Sequence, residues 1–157
     1  MTIRHATIDD LDIITLIETA SFNNNEAAKK EEIKDRLELN GDFFWLLDDF
    51  GEVLAFVHGL PTNAENLTDD MFHTPGKYDI NGAWIMLLSV ATHPEHRCKG
   101  CAQRVMRQVI ADTMEQGRKG IVLTCKEQLI PFYRKFGFFK EKINKLIGSM
   151  ELSHHNL

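Results

Sequence analysis

Arg97-Cys98-Lys99-Gly100-Cys101-Ala102 sets two cations and a run of backbone N–H groups at what reads as a helix start. The first amides of a helix have no partner inside it and sit at the positive end of its dipole, so an anion is their natural occupant. Ahead of this turn, Ala83 to Ala91 is a nearly unbroken apolar run, as expected of a central strand covered on both faces. Behind it, Ala102, Val105, Met106, Val109, Ile110 and Met114 keep helical spacing until Gly117. Strand, basic turn and amphipathic helix together make a cradle for the phosphates of a coenzyme.

Two common cradles do not fit. The turn has one glycine where G-x-G-x-x-G needs three, and no Gly-Lys-Ser/Thr. Cys98-x-x-Cys101 suggests a third chemistry, a dithiol at a helix start. A zinc site would need two more ligands, with only Cys125 and scattered histidines left to supply them.

The elements around the turn follow from periodicity. Ile3 to Thr7 reads as a strand, and Thr7 to Asp10 as a capping box for a helix running to Ser21. Glu26 to Leu39 is a second, densely charged helix, which Asn40-Gly41 should end in a left-handed cap. Phe43 to Leu47 and Val53 to Leu60 form a hairpin across an acidic, glycine-bearing turn. Pro61 to Asn81 is a long polar segment with one turn of helix expected at Leu67 to Phe72. Gly120 to Cys125 is a strand and Leu129 to Phe136 a short helix. Phe138 to Lys140 and Leu146 to Leu152 close the sheet, and His154 to Leu157 reads as a frayed tail. No repeat or linker breaks the chain, so residues 1–157 read as one α+β domain.

At 157 residues the chain can bury a full core. A net charge of −5 gives no electrostatic footprint for nucleic acid and suits a cationic small molecule. Three cysteines do not suggest a secreted disulfide framework. No apolar run is long enough for a membrane span, and a cytoplasmic location is expected.

Arg97-x-x-Gly100-x-Ala102 resembles the (Arg/Gln)-x-x-Gly-x-(Gly/Ala) signature of the GNAT superfamily of N-acetyltransferases. The resemblance extends through Gly120 to Phe138, where Cys125, Pro131-Phe132-Tyr133 and Phe136-Gly137-Phe138 are similar to arylalkylamine (serotonin) N-acetyltransferases. Ala20-Ser21-Phe22 and the Glu52 to Gly59 strand also look like that family. It implies a GNAT fold: a twisted, mostly antiparallel sheet of six or seven strands flanked by about four helices. It further implies acetyl-CoA as cosubstrate, held at Arg97, Cys98, Lys99, Gly100, Cys101 and Ala102 and along Leu88, Ser89 and Val90. No metal, nucleic acid or membrane partner is implied, and a homodimer is compatible with it. The expected reaction is direct acetyl transfer to a primary amine, small or on a peptide; a non-catalytic acetyl-CoA sensor is the reading from another class.

Acetyl transfer needs a neutral amine, a stabilised oxyanion and a proton for the departing thiolate. Tyr133 matches the family's acid. The family's His-x-His falls at Trp84 and Met86, which cannot accept a proton. His58 is then the first candidate base, followed by His73 and Asp79, although a lone histidine among apolar residues more often only hydrogen-bonds. His93 and His96 are expected to be solvated or near the phosphates, and Cys125 to be a strand-end residue. Phe22, Trp45, Phe72, Trp84 and Met86 are candidate acceptor walls, and Glu65, Asp69, Asp70 and Asp79 would favour a cation.

Overall fold

The computed structural model describes residues 1–63, 78–97, 99–142 and 145–149. Seven strands form one sheet in the order β1-β2-β3-β4-β5-β7-β6. They are β1 (Thr2–His5), β2 (Phe44–Asp49), β3 (Glu52–Thr62), β4 (Trp84–Thr92), β5 (Gly120–Thr124), β6 (Phe139–Lys142) and β7 (Lys145–Ser149). Every pairing is antiparallel except β4 with β5. Four α-helices flank the sheet among the described residues: α1 (Leu11–Ser21), α2 (Lys30–Asn40), α3 (Cys101–Glu115) and α4 (Ile130–Arg134).

Hydrophobic pattern decides which face each helix covers. The stripe of α3 buries Val105, Met106 and Val109 against Trp45, Leu47, Val57, Ile85 and Leu87. On the other face α1 and α2 bring Ile14, Ile17, Ile33 and Leu37 onto Phe44, Leu46, Phe56 and Ala91. The capping box forms as read, with Thr7 and Asp10 exchanging hydrogen bonds at the entrance to α1. Arg4 on β1 locks that entrance by pairing with Asp10 at 2.8 Å and Asp48 at 2.7 Å.

Two expectations change. The second helix begins at Lys30 rather than Glu26, because residues 23–26 form a turn in which the Asn23 side chain accepts from the Asn25 and Glu26 amides. Gly41 is not a left-handed cap: its φ is −67°, and the chain continues into a 3-10 turn. A glycine is needed there because a Cβ would meet the Ala6 carbonyl oxygen. The expected helical turn at Leu67 to Phe72 and the tail at His154 to Leu157 lie outside the described residues.

Candidate active site

Strands β4 and β5 pair only from Trp84 to Met86, opposite Gly120 to Val122. Beyond that point each is held by its outer neighbour, β4 by β3 and β5 by β7, and their facing edges separate. A bulge sharpens the parting: Ser89 pairs with His58 and Leu87 with Gly59, leaving Leu88 as an extra residue. Such bulges re-aim backbone groups and recur beside active sites. The parted edges open a cleft of about 860 Å³. Leu87 to Val90 line one wall, Leu123 to Lys126 the other, with Tyr133 and Leu129 from the α4 segment and Glu18, Ser21, Phe22, Asn25 and Glu26 from α1 and the turn after it.

Gly100 forms the N-cap of α3 at φ +75°, a left-handed conformation that a side chain would strain. A Cβ there would meet nothing within 4 Å, so backbone geometry and not space calls for glycine. Lys99 is exposed beside it, and Cys101 and Ala102 open the helix. Arg97 donates to the Ala20 carbonyl at 2.9 Å, tying the turn to the end of α1. Cys101 is buried and packs in the core, its Sγ 3.8 Å from the His96 carbonyl, which suits packing better than dithiol chemistry. Cys98 lies outside the described residues.

Tyr133 is buried, its ring edge-on to Phe132 at 5.0 Å and Phe138 at 5.9 Å. The packing stripe and the cleft therefore use the same residue. Burial, with Cys125 close by, holds its phenol well above the usual tyrosine value, so it stays protonated.

A group that sequence reasoning did not single out sits on the wall opposite. Glu18 of α1 is 3% exposed and lines the cleft. Ser89 Oγ donates to its Oε1 at 2.8 Å, and the Ala28 amide donates to its Oε2 at 2.8 Å. Burial raises its proton affinity, while these donors and Arg36 act in the other direction and Glu32 reinforces the rise. Arg36 is buried too, its pair with Glu32 is long at 3.9 Å, and its Nη2 makes no hydrogen bond. The signal for Glu18 lay in the pattern: it falls four residues after Ile14 and next to Ile17, on the stripe that α1 buries.

His58 is brought elsewhere. It is fully enclosed, stacked on Phe44 at 3.8 Å, with Nδ1 donating to the Phe43 carbonyl at 3.2 Å. Its Nε2 has no partner, burial and Arg36 hold it neutral, and it does not line the cleft. Phe22 lines the cleft, but Trp84 and Met86 do not. Met86 is fully buried with Leu60 and Val122, and Trp84 packs beside them. Trp45 belongs to the α3 core, where its indole donates to Asp112 at 2.8 Å. Asp79 accepts from Asn63 and the Asn81 amide, fixing the loop before β4. His93 and His96 stand in the turn ahead of Arg97, His96 bonded to Glu52 at 2.9 Å. The candidates His73, Glu65, Asp69, Asp70 and Phe72 lie outside the described residues.

The model of the acetyltransferase (GNAT) family matches residues 11–138. The chain belongs to that family. GNAT membership brings acetyl-CoA as cosubstrate. No curated protein matches the chain in sequence. Among solved structures, the loading GNATL domain of CurA from Lyngbya majuscula superposes with a TM-score of 0.84 at 16% identity, over 96% of this chain and 98% of that one. The ribosomal-protein-S18-alanine N-acetyltransferase from Escherichia coli gives 0.69 at 14% identity, over 93% and 90%. A GNAT family acetyltransferase from Brucella melitensis in complex with acetyl-CoA gives 0.64 at 21% identity, over 94% and 86%. At these identities the likeness is one of fold. No helix among the described residues is long and apolar enough to cross a membrane.

Proposed function

We propose that this GNAT domain, residues 1–157, moves the acetyl group of acetyl-CoA directly to the nitrogen of a small primary amine, an arylalkylamine or a polyamine. The observation that carries this reading is the parting of β4 from β5 after Met86, which opens a cleft onto Tyr133. The residues fit the cosubstrate. The first amides of α3, with Gly100 in its left-handed cap and Lys99 alongside, suit the diphosphate. The β4 edge at Leu88 to Val90 has no β5 partner, and its N–H groups suit an amide-bearing chain and the thioester oxygen.

Tyr133 supplies a hydrogen bond, and then a proton, to the departing sulfur. In water a phenol (~10) is the weaker acid against a thiol (~8.5), so this transfer runs uphill by about 2 kcal/mol. Burial raises the Tyr133 phenol further, and a dry cleft raises the proton affinity of the thiolate too, which offsets that rise. Phe22 and the acidic side chains Glu18 and Glu26 favour an acceptor that is both apolar and cationic.

The test is thiol release from acetyl-CoA with a panel of arylalkylamines, polyamines and peptides bearing free N-termini or lysines. Faster turnover of the small amines supports the reading. Turnover of peptides alone replaces the acceptor class, and acetyl-CoA binding with no turnover on any amine makes the protein a sensor.

A further inference from the structure

The cleft contains a buried carboxylate that the acid and the coenzyme cradle leave without a task. We propose that Glu18 is the acceptor's subsite and its base: its carboxylate pairs with the incoming ammonium and takes the proton that must leave before attack. This rests on the amine-acetylation reading above.

Geometry carries the assignment. Ser89 and the Ala28 amide fix one oxygen each, so the carboxylate is held rigid from β4 and from the segment before α2. An ionised carboxylate has about four acceptor sites, so two donors leave room for an ammonium. Ser89 also belongs to the bulged edge of β4, which places the carboxylate one side chain away from the backbone suited to the thioester. Arg36 behind it offsets part of the cost of a buried negative charge, and Glu32 balances Arg36 in turn. Burial makes Glu18 a stronger base than an exposed glutamate.

The protons and electrons balance. Glu18 takes one proton from the alkylammonium, and the freed nitrogen lone pair forms the C–N bond at the thioester carbon. The C–S bond then breaks, and its electron pair leaves with sulfur, which receives the Tyr133 proton. Tyr133 is restored by the second proton of the attacking nitrogen, and Glu18 returns its proton to solvent.

The experiment compares two acceptors: an ordinary alkylamine, protonated at pH 7, and trifluoroethylamine, largely neutral there. The first needs a base before it can attack and the second does not. In Glu18→Gln, kcat/KM for the alkylamine should fall by ~10²-fold or more, while trifluoroethylamine should lose less than about tenfold. Calorimetry should show unchanged acetyl-CoA affinity. Equal loss on both amines, or no loss on either, overturns the proposal. Should Glu18→Gln not fold, Ser89→Ala keeps the carboxylate but frees it, and the same selective loss should appear at about tenfold. Wild-type protein that binds acetyl-CoA but acetylates neither amine sinks the small-amine reading on which this proposal rests, a result distinct from wild-type turnover that Glu18→Gln leaves intact.

Discussion

The two faces of this sheet are built to different standards. Under α3 the contacts are apolar, and the polar atoms that enter are paired: Trp45 with Asp112 at 2.8 Å, Thr113 with the Val109 carbonyl at 2.7 Å. Under α1 and α2 the same sheet covers Glu18, Arg36, His58 and Ser89. Among the described residues, the three buried side-chain atoms without a hydrogen-bond partner, on Ser21, Arg36 and His58, all lie on this second side. Buried unpaired polar atoms cost about 1–3 kcal/mol each, so this face is retained at some expense of stability. Both faces reach the cleft, but with different groups: the apolar face under α3 supplies Tyr133, and the polar face under α1 brings Glu18.

That contrast can be broken experimentally, beginning with the apolar face. Met106→Ala empties a fully buried site beneath α3 and should cost about 2–5 kcal/mol in urea unfolding, while acetyl-CoA binding survives in the folded fraction. A loss below 1 kcal/mol would mean that α3 does not organise the core. Tyr133→Phe keeps the ring packing and removes the hydroxyl. Turnover should fall by ~10²-fold, equal to about 2.7 kcal/mol, with acetyl-CoA affinity retained, as single-turnover and binding measurements would show. Undiminished turnover would leave the tyrosine a packing role alone.

Gly100→Ala forces a side chain into the left-handed region and should cost about 1 kcal/mol of stability. The same change should weaken acetyl-CoA binding by distorting the amides that follow. The smallest effect is expected at His58→Phe, which keeps the stack on Phe44 and removes the unpaired Nε2 along with one 3.2 Å hydrogen bond. Stability should shift by less than about 1 kcal/mol, with turnover within a few-fold of wild type. A loss of ~10²-fold would return His58 to the role of base.

Much of the frame was legible because it rests on local chemistry. The apolar run of β4, the α3 stripe and the Thr7 to Asp10 capping box each state their conformation in a few residues. Where β4 parts from β5 could not be read from the residues, since nothing in an apolar run says where its pairing stops. Gly41 shows a limit of another kind. A glycine after a helix reads as a left-handed cap, but here a close approach to the Ala6 carbonyl selects it, and that contact lies 35 positions away along the chain. Trp84 and Met86 were read as acceptor walls, but the register with β3 and the packing against Leu60 and Val122 keep both off the cleft. Glu18 was in plain view as a carboxylate on a buried stripe. Its meaning came only when Ser89, 71 residues later, was found bonded to it.

The account turns on whether the start of α3 and the parted strands hold the cosubstrate. Titration calorimetry of the wild-type protein with acetyl-CoA tests this most directly, with Gly100→Ala measured alongside. Saturable one-to-one binding with a Kd below ~1 mM, weakened in the variant, is the expected result. No heat of binding to acetyl-CoA or free coenzyme A at millimolar excess would contradict it.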